Sequence, residues 1–216
     1  MSPKLYMTPA SSPVRSVLLV AEAINLNLEN LEVNLMDQDQ LTPEFLKINP
    51  EHTVPVLNDD GFILADSHAI NVYLVEKYGK DSNLYPKDIK ERAIVNHRLH
   101  FDNGTLFVRM ANIIRSIFFN NEKSISQDKI DAILEAYKIM ETFLQHGPWM
   151  AGQNMTVADL GMIATVSSMD MLVPVKKDEC PKLASWMGKM EALHFYSANK
   201  KGLEMLAALV KAKLEN

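Results

Sequence analysis

Cysteine is nearly absent from this sequence, with Cys180 the only one among 216 residues. One cysteine cannot form a disulfide within the chain, so the fold must be stabilised by a hydrophobic core. This usage is consistent with a reducing compartment, and we expect a cytoplasmic protein. The sequence also lacks an apolar run of about 18 residues and an apolar stretch after a basic start, so we expect neither a membrane span nor a signal peptide.

An excess of positive charge is missing as well. The chain carries 22 Lys and Arg against 27 Asp and Glu, which gives a formal net charge of −5 at pH 7. Nucleic-acid backbones are bound by clustered Lys and Arg, and the sequence has no such block. We therefore expect no nucleic-acid partner.

The first third of the chain alternates between strand and helix patterns. Residues 4–7 form a strand candidate, and residues 31–35 alternate apolar with polar side chains as a second strand. Between them, Ser12 is predicted to cap a helix that begins at Pro13, since the first helical position makes no use of an N–H group. Strand, helix and strand form a βαβ unit with a right-handed crossover.

A short helix and a β-hairpin follow this unit. The segment 58–61, Asn-Asp-Asp-Gly, is typical of a hairpin turn because Gly accepts a positive φ. The predicted bounds are 42–47 for the short helix, which begins at Thr42 or Pro43, 54–57 and 62–64 for the two strands, and about Ser67 for the start of the next helix.

After this point, every clear repeat of apolar residues has the spacing of an α-helix. We therefore predict a fold with an α/β thioredoxin-like N-terminal domain over residues 1–80, a linker over 81–88 and an all-α C-terminal helical domain over 89–216. Pro86 in the linker blocks an early restart of the helix. Within the second domain, Thr156 and Asp159 are spaced as in a capping box, with Asp in place of the usual Glu.

The start of the first helix is where a thioredoxin-like domain often carries a Cys-x-x-Cys pair. Here the segment 11–14 reads Ser-Ser-Pro-Val, which excludes thiol–disulfide exchange at this position. What remains is a hydroxyl beside a helix N-terminus. The free N–H groups and the helix dipole at such an end favour a bound anion.

An ordered set of motifs runs along nearly the whole chain. The motifs are Ser11-x-Pro13-x-Arg15, the segments 45–57 and 66–70, the linker segments 78–81 and 84–88, the helix segment 99–110, and the segments 150–152 and 156–160. Together they resemble the glutathione transferases of the insect-type delta and epsilon classes. The segments 67–70, 167–168 and 173–174 favour the epsilon class.

The resemblance implies a catalytic role for Ser11, whose hydroxyl would donate a hydrogen bond to the sulfur of glutathione. A free thiol has a pKa of about 8.5, so ionisation near neutrality requires a drop of roughly two units, or about 2.7 kcal/mol. A hydrogen bond to a charged group contributes about 1.5–3 kcal/mol and a helix dipole about 0.3–1 kcal/mol. One serine at a helix end is just sufficient. Taken alone, Ser11 would be read as a loop or capping serine.

The resemblance also implies roles along the tripeptide. The backbone of Val54, before a cis Pro55, would pair with the cysteinyl part, while His52 would hydrogen-bond the glycyl carboxylate. Asp66 suits the γ-glutamyl ammonium and Ser67 the γ-glutamyl carboxylate. The complete predicted glutathione-binding set is Ser11, Gln40, His52, Thr53, Val54, Pro55, Asp66, Ser67 and His68.

Three of these positions depart from the usual pattern of the family. Asp66 replaces a more usual Glu, which has a longer reach and the same charge. Gln40 stands where relatives often carry His near the glycine end, and His68 where many carry Arg. Without the other motifs, Asp66 and Ser67 could equally be a helix cap, Pro55 a strand-start proline, and His52 an exposed residue.

The pocket for the second substrate is expected to be apolar and adaptable, because Met and aromatic side chains suit such a surface. Core or interface positions are an equally good interpretation of the same residues. Arg115 is the one charged member. The predicted electrophile pocket consists of Pro13, Leu35, Phe107, Met110, Ile114, Arg115, Phe118 and Phe119.

The leading hypothesis is a glutathione transferase that conjugates glutathione to small hydrophobic electrophiles in detoxification, with peroxidase or dehydrochlorinase activity at the same thiolate. The resemblance implies a homodimer with one site per subunit, glutathione as co-substrate and no metal. The alternative is a binding module that holds glutathione and carries apolar ligands with little catalysis. A redox enzyme is disfavoured by the missing cysteine.

Overall fold

The N-terminal part of the protein is a four-stranded sheet with three helices. A computed structural model describes residues 2–80 and 83–215. The strand order is β2-β1-β3-β4, with β1 parallel to β2 and the other neighbouring pairs antiparallel. The bounds are β1 Lys4–Met7, α1 Ser12–Ala23, β2 Glu29–Glu32, α2 Pro43–Ile48, β3 Val56–Asp59, β4 Phe62–Ala65 and α3 Ser67–Tyr78. This arrangement confirms the predicted thioredoxin-like domain.

Several predicted boundaries were wrong by one to three residues, the largest error being the end of β2, predicted at residue 35 and found at Glu32. Strand β2 begins at Glu29 because its parallel register pairs Glu29 with Lys4 of β1. The helix cap is Ser11, which is extended at φ −69° and ψ 123°, so Ser12 is already helical. The ladder to β4 begins at Val56, so the two residues before it lie outside the strand.

The hairpin between β3 and β4 has the predicted turn, since Asp60 and Gly61 both have positive φ, at 53° and 88°. Behind it, the buried carboxylate of Asp59 accepts hydrogen bonds from Tyr73, Lys77 and Tyr78 of α3. These bonds fasten the hairpin to the C-terminal half of α3.

The second domain is all helical. Its helices are α4 Ile89–Phe101, α5 Phe107–Phe119, α6 Gln127–Phe143, α7 Val157–Leu172, α8 Pro181–Glu191 and α9 Ser197–Glu215. The sequence predicts one continuous helix through α4 and α5, but a π-helical turn, Asp102–Leu106, joins them. The expected capping box at Thr156 and Asp159 is present at the start of α7.

The domain limits and the linker over 81–88 stay predictions. Helix α3 ends at Tyr78 and α4 begins at Ile89. Residues 81 and 82 of the predicted linker lie outside the described residues. Within the described part of the chain, no helix combines the length and apolarity needed to cross a membrane.

Helix α1 joins the two domains through a buried arginine. The side chain of Arg15 is fully buried and donates hydrogen bonds to Ser167 and Ser168 of α7 and to Asn199 of α9. Burial lowers the pKa of Arg15 to about 10, so the guanidinium stays charged at neutral pH. In α9, a Cβ at Gly202 would lie only 2.0 Å from the carbonyl oxygen of Pro9, so this close approach requires glycine.

We predict that Arg15→Ala lowers the free energy of unfolding by about 2–4 kcal/mol. The substitution leaves a cavity and removes the donor from three buried polar side chains. Urea unfolding followed by circular dichroism measures the change. Arg115→Ala serves as the control, because Arg115 is exposed and should alter stability by less than about 0.5 kcal/mol. Equal stabilities of the two variants would contradict the assigned role of Arg15.

The Asp59 cluster makes a pH-dependent contribution to stability. Burial alone would raise the pKa of Asp59, but the hydrogen bonds from Lys77, Tyr73 and Tyr78 outweigh it and hold the pKa below 3.8. A carboxylate with a depressed pKa in the folded state stabilises the fold above its unfolded pKa, and this contribution is lost as the pH falls through the folded value. We predict that Asp59→Asn destabilises the protein at pH 7 and that the difference from wild type shrinks below pH about 4. Denaturant midpoints across pH test this, and a difference that does not change with pH would contradict it.

Candidate active site

The hydroxyl of Ser11 lies at the N-terminus of α1 and is partly exposed. Its oxygen accepts the backbone N–H of Val14 at 3.5 Å, a long capping bond. Because the oxygen accepts this bond, the hydroxyl hydrogen remains available for a partner outside the helix. Pro13 supplies no N–H in the first turn, so an anion at this end depends more on the Ser11 hydroxyl.

The peptide bond between Val54 and Pro55 is cis, as expected. Val54 is buried, and neither its N–H nor its C=O makes a backbone hydrogen bond within the described part of the chain. The preceding turn is held by Asn49, a buried residue whose amide donates to the carbonyl and hydroxyl oxygens of Thr53 at 3.1 and 3.2 Å. The result is a fixed backbone edge with unused hydrogen-bonding groups.

His52 belongs to this turn, where its N–H donates to the carbonyl oxygen of Asn49, whereas Gln40 lies before α2. His52 is exposed and has a left-handed backbone with φ 47°. Gln40 lies in a short 3₁₀ helix, Asp39–Leu41, and its buried Oε1 has no hydrogen-bond partner among the described residues. Both side chains therefore keep hydrogen-bonding capacity that the protein itself does not use.

Asp66 caps helix α3. Its Oδ1 accepts the N–H groups of His68 and Ala69 at 2.9 and 3.0 Å, and its Oδ2 accepts the side-chain amide of Asn103 at 2.9 Å. The residue is exposed and has a φ of 67°, while the neighbouring Ser67 is buried. A carboxylate has about four acceptor positions, so the cap leaves room for a further donor.

His68 points away from solvent into the contact between the domains. Its Nε2 lies 3.0 Å from Oδ2 of Asp102, although the angles are not those of a hydrogen bond. The ring also fits against Gly161 of α7, where a Cβ would lie 2.9 Å from it. A direct contact of this buried side chain with a tripeptide would require it to leave this place, so the geometry favours an indirect role.

A narrow cleft runs between the two domains at this place. It brings together four predicted site residues, Pro13, Ser67, His68 and Phe107, and its full lining is Ser12, Pro13, Ser16, Ser67, His68, Asp102, Asn103, Phe107, Gly161 and Thr165. A larger cavity of about 340 Å³ lies elsewhere, between α4 and the end of α6. The first residues of α1 and α3, Ser12 and Ser67, both line the smaller cleft, whereas Ser11 is not part of its lining.

The predicted electrophile residues divide into three groups. Pro13 and Phe107 line the cleft. Met110 is buried, and its sulfur accepts a hydrogen bond from the Ser12 hydroxyl at 3.8 Å. Ile114 and Phe118 are partly buried on α5. Three others are exposed and are not brought to the cleft, namely Leu35, Arg115 and Phe119, the last with 80% of its surface exposed. None of these six residues lines the cleft, and the electrophile pocket as a whole stays a prediction.

Three residues of the site have no role in the sequence-based prediction, namely Asn49, Asp102 and Asn103. All three lie within the family motif segments 45–57 and 99–110, but their side-chain partners are distant in the chain or depend on the turn. Asn103 carried no pattern of its own, since its contact with Asp66 exists only because the chain forms a π-helical turn there.

Comparison with known proteins gives the class to which this fold and cleft belong. The family profile described as glutathione S-transferase, N-terminal domain, matches residues 5–82, and the profile for the C-terminal domain matches residues 97–194. The chain therefore belongs to the glutathione S-transferase family, and it is a transferase.

Individual relatives are insect proteins of similar length. Glutathione S-transferase 1 of Manduca sexta is 42% identical, covering 97% of this chain and 98% of the relative. An epsilon-class glutathione S-transferase from the housefly, Musca domestica, superposes with a TM-score of 0.96 at 43% identity, covering 98% of each chain. A glutathione transferase homologue from Drosophila mojavensis, solved with bound glutathione, gives 0.95 at 42% identity, covering 98% of this chain and 97% of the other.

These findings confirm the resemblance to insect epsilon and delta transferases and support glutathione as a substrate. The described residues contain no group of three or more His, Cys, Asp or Glu side chains placed to hold a metal ion.

The pair formed by His68 and Asp102 should be visible in a titration. Burial alone would lower the pKa of His68, but the adjacent carboxylate of Asp102 and the charge of Asp66 outweigh it and raise the pKa above 6.5. A histidine with a raised pKa stabilises the fold fully below its unfolded pKa, and this contribution is lost as the pH rises through the folded value.

We predict that Asp102→Asn moves the pKa of His68 below its wild-type value, because burial is then opposed only by the more distant Asp66. Nuclear magnetic resonance of the imidazole Cε1–H signals across pH measures the shift, and a His68→Gln variant assigns the signal. An unaltered titration of His68 in the Asp102 variant would contradict the pairing.

Proposed function

We propose that Ser11 activates glutathione by donating a hydrogen bond to its sulfur. This bond stabilises the thiolate that remains when the thiol proton is lost to water. The thiolate then forms a bond to an electrophilic carbon and displaces the leaving group. The observation that carries this proposal is the cap geometry, in which the Ser11 oxygen accepts from Val14 and the hydrogen is free to point outward. The positive end of α1 adds to the stabilisation of a negative sulfur.

The remaining contacts would position the tripeptide. The unpaired N–H and C=O of Val54 suit the cysteinyl backbone, as in the addition of one strand residue. His52 and Gln40, together with Thr53, would bind the glycyl carboxylate. At the other end, Asp66 would bind the γ-glutamyl ammonium.

Ser67 completes the γ-glutamyl end of the proposed site, where its hydroxyl and backbone N–H would bind the carboxylate. His68 belongs to the same end, but we assign it to positioning. Its ion pair with Asp102 holds the start of α3 against the second domain.

The electrophile would enter the cleft beside Pro13 and Phe107, with Met110 behind them. An apolar surface containing Met and aromatic side chains accommodates hydrophobic substrates of varied shape. The substrate class is therefore small hydrophobic electrophiles, and peroxidase or dehydrochlorinase chemistry would use the same thiolate. A cytoplasmic homodimer with one site per subunit completes the proposal, since homodimers are typical of this family.

We predict that Ser11→Ala lowers kcat/KM for a chloronitrobenzene by about 10- to 150-fold, which corresponds to the loss of a hydrogen bond to a charged group. The pKa of the bound thiol should rise towards about 8.5. Steady-state kinetics and ultraviolet titration of the glutathione complex measure the two effects.

Two control variants distinguish the loss of the Ser11 hydroxyl from the loss of a helix cap. Ser11→Gly keeps most of the cap but lacks the hydroxyl, so it should be as impaired as Ser11→Ala. Ser126→Ala alters the N-cap position of distant α6 and should leave the rate unchanged. Undiminished activity of both Ser11 variants would remove Ser11 from its role, and a wild-type protein that binds glutathione without turning over any electrophile would favour a carrier.

A further inference from the structure

The π-helical turn between α4 and α5 sends two consecutive side chains to the start of α3. Asp102 reaches His68 and Asn103 reaches Asp66. In a regular α-helix, adjacent side chains point about 100° apart around the helix axis. A π-turn holds more residues per turn, so adjacent side chains diverge less, and such turns occur frequently at functional sites.

The contact between Asn103 and Asp66 crosses from one domain to the other. The Nδ2 atom of Asn103 lies 2.9 Å from Oδ2 of Asp66, and it is the donor because an ionised carboxylate only accepts. The other oxygen, Oδ1, is already committed to the cap of α3. Among the described residues, Asn103 is therefore the side chain that fixes the second oxygen.

The chemistry of the amide matters for a carboxylate that has to bind a cation. A Lys or Arg at position 103 would neutralise Asp66 and compete with an incoming ammonium. An amide fixes the plane of the carboxylate and leaves its charge intact. Preorganised acceptors of this kind reduce the cost of ordering a site when a ligand binds.

The geometry points to Asn103 as a positioning residue for glutathione: it orients the Asp66 carboxylate towards the γ-glutamyl ammonium and so brings the second domain into recognition of the tripeptide. This inference rests on the proposed role of Asp66. Because the ammonium and the sulfur are at different parts of the tripeptide, Asn103 affects the binding of glutathione and leaves the ionisation of its thiol unchanged.

The test is a double-mutant cycle on glutathione affinity, measured by isothermal titration calorimetry with wild type, Asn103→Leu, Asp66→Asn and the double variant. Asn is as good an N-cap as Asp, so Asp66→Asn removes the charge and keeps the helix start. We expect Kd to rise about three- to tenfold in Asn103→Leu and more in Asp66→Asn. The double variant should match Asp66→Asn, because Asn103 acts through that carboxylate.

A second ligand distinguishes positioning from a general structural effect. N-acetylglutathione lacks the ammonium, so wild type and Asn103→Leu should bind it with equal affinity. In kinetics, Asn103→Leu should raise KM for glutathione with kcat and the pKa of the bound thiol unchanged. Asn112→Leu, an exposed site on α5, is the matched control and should bind glutathione as wild type does. Asn103→Ala replaces Asn103→Leu if the latter does not fold.

The possible outcomes distinguish a failure of the role proposed for Asp66 from a failure of the role inferred for Asn103. If Asp66→Asn binds glutathione as tightly as wild type, the proposed role of Asp66 fails. If Asp66→Asn weakens binding and Asn103→Leu does not, the inference about Asn103 fails alone. Losses that multiply in the double variant, or a loss that persists with N-acetylglutathione, would show that Asn103 acts by another route and would overturn it.

Discussion

Helix α1 packs against both domains at once, and this constraint fixes the position of Ser11 at its N-terminus. One side of the helix packs in the core of the sheet domain through Val14 and Val17. The other side presents Arg15 to α7 and α9, with its charge buried among three hydrogen-bond acceptors. Ser11 lies one turn before that arginine, so the position of its hydroxyl is determined by packing on both sides.

The polarity of the contact between the domains has a structural consequence. Arg15, His68 and Asp102 are all buried there, and buried polar groups are stabilising only when their partners have good geometry. An apolar interface would tolerate small sliding movements, whereas the hydrogen bonds of Arg15 are lost within about an ångström of displacement. The relative placement of α1, α7 and α9 is thereby specified closely.

Much of the fold was predictable from the sequence, because many of its elements depend on local signals. The βαβ unit, the hairpin turn and the capping box at Asp159 depend on local signals, and the family motifs located Ser11 and Asp66. The exact start of β2 was missed because register with β1 decides it. The π-turn and Asn103 were missed because the spacing of Leu99, Leu106 and Met110 also fits a regular α-helix. The effect of the turn is a contact with a residue far away in the chain.

In the proposed binding mode, the start of α3 has to bind both the carboxylate and the ammonium of the γ-glutamyl group. The start of α3 favours an anion, yet its first N–H groups are already bound by Oδ1 of Asp66. The substrate carboxylate is then left with Ser67, while the substrate ammonium offsets the charge that Asp66 brings. A neutral partner such as Asn103 is therefore better suited than a cation to hold Oδ2, because a cation would satisfy Asp66 before the substrate arrives.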